Sequence, residues 1–314
     1  MEESIKCIDC NYIYPQLACA YMMMEGEEVA FVENNTAKAA PILYDELEKA
    51  GRKPEDVRFL IITHVHLDHA GGTSELLSRF PNATVLAHPR AAPHIINPNR
   101  LIQSAKMVYG EESFNELYGT IQAVDEKRVR IMQDGEVLKL GERNLSFIYT
   151  KGHANHHFVI HDSKTNGIFT GDSFGIAYPA LQKGNSNFLF PTSTPTDFDP
   201  QEALLSVDKI LETGADKAYL THFGIWEDIE EGARQMKFAL AEYSDILKEA
   251  SSPDKVKEDE VDNFCLEKVY QFMEEEVLRR EIKLNETEQE LVGMDIKMNA
   301  MGIAYSAKRL RKRK

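Results

Sequence analysis

Residues 57–72 read VRFLIITHVHLDHAGG. The first six, Val57 to Ile62, are largely apolar and β-branched, the composition of a buried strand. The run breaks into a loop that carries His64, His66, Asp68 and His69 within six residues and closes on Gly71-Gly72. Packing seldom gathers three imidazoles and a carboxylate so tightly, whereas a metal ion needs that donor set. A single histidine is more often a packed or surface residue, and His88, His94 and His161 are read that way.

Outward from this stretch the order is β–loop–α–β. A short helix opens near Thr73 or Ser74, runs through Leu76, Leu77 and Phe80, and stops at Pro81, before a strand at 84–88. The histidine loop therefore sits at the C-terminal end of a strand, where the sites of layered α/β folds gather. Three further predicted strands end in the same chemistry. Leu145–Thr150 runs into His153, Ile168–Thr170 into Asp172, and Lys217–Leu220 into His222. A catalytic metal site uses about three protein ligands and an open position, so these groups are too many for one ion and suit two. Imidazole and carboxylate donors fit zinc first, with iron or manganese also served. Two such divalent ions, roughly 3.5–4 Å apart, polarise a substrate oxygen and activate a water, and an aspartate is the natural bridge between them.

The rest of the chain frames these loops. Residues 5–33 predict two or three N-terminal strands, including Ala18–Met24 and Val29–Val32, and Thr36–Ala50 predicts a helix ended by Gly51. Cys7 and Cys10 form a lone C-x-x-C read as strand packing. Residues 89–128, punctuated by Pro89, Pro93 and Pro98, are a helical insertion suited to shaping a pocket. Strands return over 129–172, and 176–196 is a Pro-, Gly- and Asn-rich loop suited to lining a cleft. Asp199-Pro200 opens a helix to about Thr213. The chain thus divides into residues 1–226 and a charged helical extension, 227–314, ending in the basic tail KRLRKRK at 308–314. In that extension Thr287-x-x-Glu290 predicts a capping box. The stripe Leu291, Met294, Met298, Met301 and Tyr305 predicts an amphipathic helix packed on a partner surface, with a homodimer as one such partner.

With 314 residues, a formal charge of −15 and four cysteines, the chain is expected to be an ordinary globular protein without a disulfide framework. No apolar run is long enough for a membrane span, and the start MEESIKCIDC lacks the order of a secretory signal, so a reduced cytoplasmic setting is expected. The acidic body argues against nucleic acid as partner and leaves a small-molecule substrate.

His64-x-His66-x-Asp68-His69, followed in order by Gly152-His153, Thr170-Gly171-Asp172 and Thr221-His222, resembles the signature of the metallo-β-lactamase superfamily. Within it, HPRAAPHIINPNRLIQSA, GHANHH, PTDFDPQEALLS and DIKMNAMGIA are similar to segments of glyoxalase-II-like and lactonase-like hydrolases that carry a C-terminal helical extension. The resemblance implies a four-layer αββα sandwich. It implies that His64, His66 and His153 hold one metal, that Asp68, His69 and His222 hold the second, and that Asp172 bridges. Asp68 and Asp172 are then the carboxylates of the catalytic centre, and His157 is a residue near substrate. The turn Val32-Glu33-Asn34-Asn35-Thr36 departs from the family's Asp-Thr-Gly type, with Glu33 standing where an aspartate usually supports the metal loop. The implied activity is hydrolysis of an ester, thioester or lactone, with phosphodiester cleavage open to the same two metals. Two alternatives are a di-iron protein acting on dioxygen, whose members usually have Glu where His66 stands, and a ligand-sensing protein that kept the site without turnover.

Overall fold

Period-2 alternation builds the first sheet. The computed structural model describes residues 4–312, so Arg313 and Lys314 of the basic tail and the first three residues of the chain lie outside the described residues. Strands β1 (Ile5–Asp9), β2 (Cys19–Glu25), β3 (Glu28–Val32), β4 (Val57–Ile61), β5 (Thr84–Ala87) and β6 (Val129–Ile131) lie side by side in chain order. The junctions β1–β2 and β2–β3 are antiparallel, and those from β3 to β6 are parallel. Between them run α1 (Ala40–Lys49), α2 (Leu67–Ala70), α3 (Thr73–Arg79), α4 (Ala92–Ile96), α5 (Asn99–Tyr109) and α6 (Glu111–Leu117); the last three form the 89–128 insertion.

The second sheet holds β7 (Val137–Leu140), β8 (Arg143–Thr150), β9 (His157–Asp162), β10 (Gly167–Gly171), β11 (Lys217–Leu220) and β12 (Gly224–Trp226), in the order β12-β11-β10-β9-β8-β7. β12 has three residues, too few for alternation to reveal it in the sequence. Apart from the last residue of β8, both sheets belong to one compact unit made of Met1–Tyr149, His156–Gly171 and Ala215–Glu227.

The two faces of the first sheet serve different cores. On β3, Val29 and Phe31 join Leu43 and Leu47 of α1 and Leu76 of α3. Ala30 and Val32 point the other way, into a core shared with Phe147, Phe158 and Phe169 of the second sheet. Side chains on one strand alternate between faces, so a single five-residue segment seals both layers. Burying each large apolar side chain contributes roughly 1.5–3 kcal/mol. A buried ion pair sits in this unit. Arg143, fully buried at the start of β8, donates to Asp162 Oδ2 at 2.5 Å and to Glu25 Oε2 at 3.1 Å. Burial alone would raise the Glu25 carboxyl, but Lys164 and Arg143 beside it hold it below its ordinary value.

The second compact unit comprises Thr150–Asn155, Asp172–Gly214 and Asp228–Lys314. It contains α7 (Pro200–Glu212), α8 (Ile229–Ala250), α9 (Val261–Arg279) and α10 (Glu286–Arg311). Asp199 caps α7 as expected, accepting from the amides of Gln201 and Glu202. The start of α10 differs from expectation. Its capping box is Asn285 with Glu288, two residues ahead of Thr287–Glu290, and each side chain accepts the other residue's backbone N–H at 3.0 Å. The predicted apolar stripe is also only partly interior. Leu291 is buried, but Met294, Met301 and Tyr305 are 40–47% exposed. The face that α10 buries consists mainly of small residues, including Asn299, Ala300, Gly302, Ala304 and Ser306. Among the described residues no helix is long and apolar enough to cross a membrane.

Candidate metal centre

The loop after β4 is shaped by the turn after β3. Asn34 N–H donates to His69 O at 2.9 Å, Gly72 N–H to Asn35 O at 2.8 Å, and the Asn35 amide to Asp68 O at 2.9 Å. A Cβ at Gly72 would lie 2.7 Å from Asn34 O and 2.9 Å from Thr36 O, so this approach admits only glycine. His66 O accepts from the amides of His69 and Ala70, both at 3.0 Å, which closes the single turn of α2. That turn carries Asp68 and His69. Glu33 is buried and has a left-handed φ of 64°. Its Oε1 accepts from the Thr63 hydroxyl and lies 3.3 Å from His69 Nδ1.

Within the first unit, Asp68, His69 and His222 converge. Asp68 Oδ2 lies 3.8 Å from His69 Nε2 and 3.4 Å from His222 Nε2, and ligating atoms of the three fall within 4.8 Å of one another. His222 arrives from the end of β11, which is stitched to β2 by Cys19 N–H to Thr221 O at 2.9 Å and Tyr21 O–H to Leu220 O at 2.7 Å. Its Nδ1 lies 2.7 Å from Leu17 O. A carbonyl accepts only, so Nδ1 carries a proton and Nε2 is the nitrogen that faces Asp68. His64 and His66 stand next to this group. His64 Nε2 is 2.7 Å from His66 Nδ1, and the His64 and His69 ring centres are 4.1 Å apart.

His157, expected beside the substrate, is wholly buried at the start of β9, its ring centre 4.8 Å from that of His64. His156 is half-buried instead, with ring centres 5.7 Å from His66 and 6.5 Å from His94 on α4. His94 reads from the sequence as a structural or surface residue. No periodicity in the proline-broken insertion connects it to the cluster. His88 packs against Tyr149 with ring centres 4.3 Å apart and planes tilted by 51°, and His161 bonds Asn166 at 3.0 Å.

Within the second unit, His153 Nε2 lies 3.2 Å from Asp172 Oδ2, and both residues are buried. His153 Nδ1 lies 3.2 Å from Thr192 O, the same device seen at His222. The donor sets fit a divalent ion. Four-coordinate bonds of about 2.0–2.2 Å place donors roughly 3.3–3.6 Å apart, close to the separations across Asp68 and across His153 and Asp172. Neutral imidazoles fixed by carbonyls, combined with carboxylates, are donors for zinc, iron or manganese alike.

The family profile described as the metallo-beta-lactamase superfamily matches residues 30–222. Metallo-beta-lactamase fold-containing protein ST1585 of Sulfurisphaera tokodaii is 26% identical over 229 residues, covering 71% of this chain and 80% of that protein. Human acyl-coenzyme A thioesterase MBLAC2 is 26% identical over 137 residues, 40% of this chain and 43% of the thioesterase. Among solved structures, the metallo-beta-lactamase family protein TTHA1429 from Thermus thermophilus superposes with a TM-score of 0.64 at 19% identity, covering 99% of this chain and 94% of that one. That likeness extends through the C-terminal helices and concerns the fold. By its sequence profile, its two-sheet α/β sandwich and its histidine–aspartate clusters, the chain belongs to the metallo-beta-lactamase superfamily, in a form with a C-terminal helical extension.

Proposed function

We propose that the chain is a dinuclear metal-dependent hydrolase acting on an ester, thioester or lactone carbonyl. In this reading His64, His66 and His153 hold one ion, Asp68, His69 and His222 hold the other, and Asp172 is shared. The observation that carries it is the convergence of two imidazole nitrogens on Asp68 Oδ2, at 3.4 and 3.8 Å. When bound, the ions would polarise the carbonyl oxygen and make a water acidic enough to attack it near neutral pH.

The chain's own groups prepare that centre. Carbonyl acceptors at Leu17 and Thr192 fix the tautomers of His222 and His153. Glu33 and Thr63 hold His69 and His64 from behind, and the wholly buried His157 braces the His64 ring. Asp68 and Asp172 supply the negative charge that a pair of divalent ions needs. A thioester as substrate draws support from the thioesterase relative, whose match to this chain covers part of both proteins.

Metal analysis of the purified chain tests the reading first, with about two ions per chain expected. Content well below one ion would overturn it. Asp172→Ala is expected to abolish hydrolysis of a thioester, lactone or phosphodiester panel while leaving the circular dichroism spectrum and Tm near wild type. Retained turnover would remove Asp172 from the centre, and activity confined to phosphodiesters would move the substrate class.

A further inference from the structure

Asn299 is an amide side chain in the middle of α10, 1% exposed, on a helix face made otherwise of small or apolar residues. Its Oδ1 accepts the backbone N–H of Ser193 at 2.5 Å, and its backbone carbonyl accepts the Ser193 hydroxyl at 2.8 Å. Gly302, one turn along, presses on the same residue. A Cβ there would lie 2.7 Å from Ser193 Oγ and 2.9 Å from its carbonyl carbon. Two positions of α10 therefore hold one residue, Ser193, and its N–H is the part that belongs to the Thr192–Ser193 amide.

The other end of that peptide meets the candidate metal centre. The N–H of Ser193 and the C=O of Thr192 belong to the same planar amide, and Thr192 O lies 3.2 Å from His153 Nδ1. Thr194 Oγ1 lies 3.4 Å from His153 O, a second contact between this loop and the same histidine. A trans amide points its N–H and C=O in opposite directions, and it does not twist. It links Asn299 on one side to His153 on the other as a rigid spacer. Donation from Ser193 N–H into Asn299 also polarises the Thr192 carbonyl, which strengthens its hold on the imidazole N–H.

We propose that Asn299 is a positioning residue for His153, acting through the Thr192–Ser193 peptide. The inference rests on the reading of His153 as a metal ligand. Its content is that the C-terminal extension sets the tautomer and ring orientation of one ligand, so that metal affinity in this chain depends on α10. Partners that orient a ligating histidine are typically worth about 10–100-fold in metal affinity.

The test is zinc titration of the full-length chain against a chelator of known affinity, with the apo chain's His153 tautomer read from the nitrogen-15 NMR spectrum of its ring. Asn299→Ala is expected to weaken one of the two zinc steps by about 10–100-fold and spare the other. The His153 signal should shift from a pure Nδ1–H form to a tautomer mixture. Asn299→Asp, which keeps an acceptor at the same reach, should restore both readouts. Gly302→Ala displaces Ser193, and with it the N–H that Asn299 accepts, while leaving Asn299 intact; it should copy the alanine variant, which covers the case in which Asn299→Ala does not fold. Wild-type zinc affinities and an unchanged tautomer in the folded variants would overturn the inference alone. A wild-type chain that binds no zinc would overturn it together with the reading it rests on.

Discussion

His88 and His69 are the same residue in the sequence, and their surroundings make them different groups. His69 faces Asp68 and Glu33, whereas His88 is packed on Tyr149. Burial, with the Arg90 cation adding to it, pushes the His88 imidazole down to about 4. In the unfolded chain it would protonate near pH 6.5, approximately its free value. Between these values the unfolded state binds the extra proton, so this residue lowers stability as pH falls from about 6.5 to 4. Urea midpoints at pH 7 and pH 5 should show a smaller drop for His88→Asn than for wild type. An equal drop would mean that the imidazole titrates alike in both states. At this scale spacing made the cluster legible, because His64, His66, Asp68 and His69 share one short loop. His94 was not legible, since its approach to His156 depends on how a proline-broken insertion folds back.

At the scale of the element, α10 shows where pattern reading succeeds and where it fails. A helix over this stretch was clear from its spacings of three and four. Its start was ambiguous, because Asn285 with Glu288 and Thr287 with Glu290 offer the same capping chemistry two residues apart. The fold uses the first pair. Asn285→Ala should therefore cost about 1 kcal/mol of stability and Thr287→Ala much less, as read from urea unfolding. The reverse ranking would move the helix start to Thr287. The buried face was harder to foresee. Methionines dominate any hydrophobic count, yet glycine, alanine and serine allow a helix to approach its neighbours closely, and Ala300, Gly302, Ala304, Ser306 and Ala307 are buried beside Leu291, Val292, Ile296 and Ile303. The strands were easier, since the alternation Val29, Ala30, Phe31, Val32 divides them between two cores.

The whole molecule would couple folding to metal binding under the proposed function, because the proposed ligands follow the ends of strands from both sheets. An ion that binds only the native chain stabilises it by about 2.7 kcal/mol when free metal is 100-fold above Kd. Removing metal with a chelator should therefore lower Tm by several degrees, and adding zinc back should restore it. A Tm indifferent to both would separate the centre from the stability of the fold. The class of the fold was legible at this scale because strand ends bearing His64, His153, Asp172 and His222 follow one another in a fixed order. What the order of residues does not encode directly is the geometry of support, such as Leu17 O behind His222 and Thr192 O behind His153, since a backbone carbonyl carries no sequence signature.

The bond between His222 and Leu17 spans 205 residues of chain. Closing a flexible loop of that length costs about 4.7 kcal/mol of entropy beyond a constant. Nearby, the Tyr21 hydroxyl reaches Leu220 across 199 residues, so the two bonds close nearly the same loop and share that cost. On a ribosome the N-terminal strands emerge first but wait for almost the whole sandwich to be made before His222 can meet its acceptor. Synthesis at roughly 5–20 residues per second makes that wait about 10–40 seconds. During this interval β2 lacks its bonds to the β11 end, and the Asp68–His69 turn lacks His222 beside it. The centre is thus among the last parts of the first unit to be completed, although its leading motif is made early.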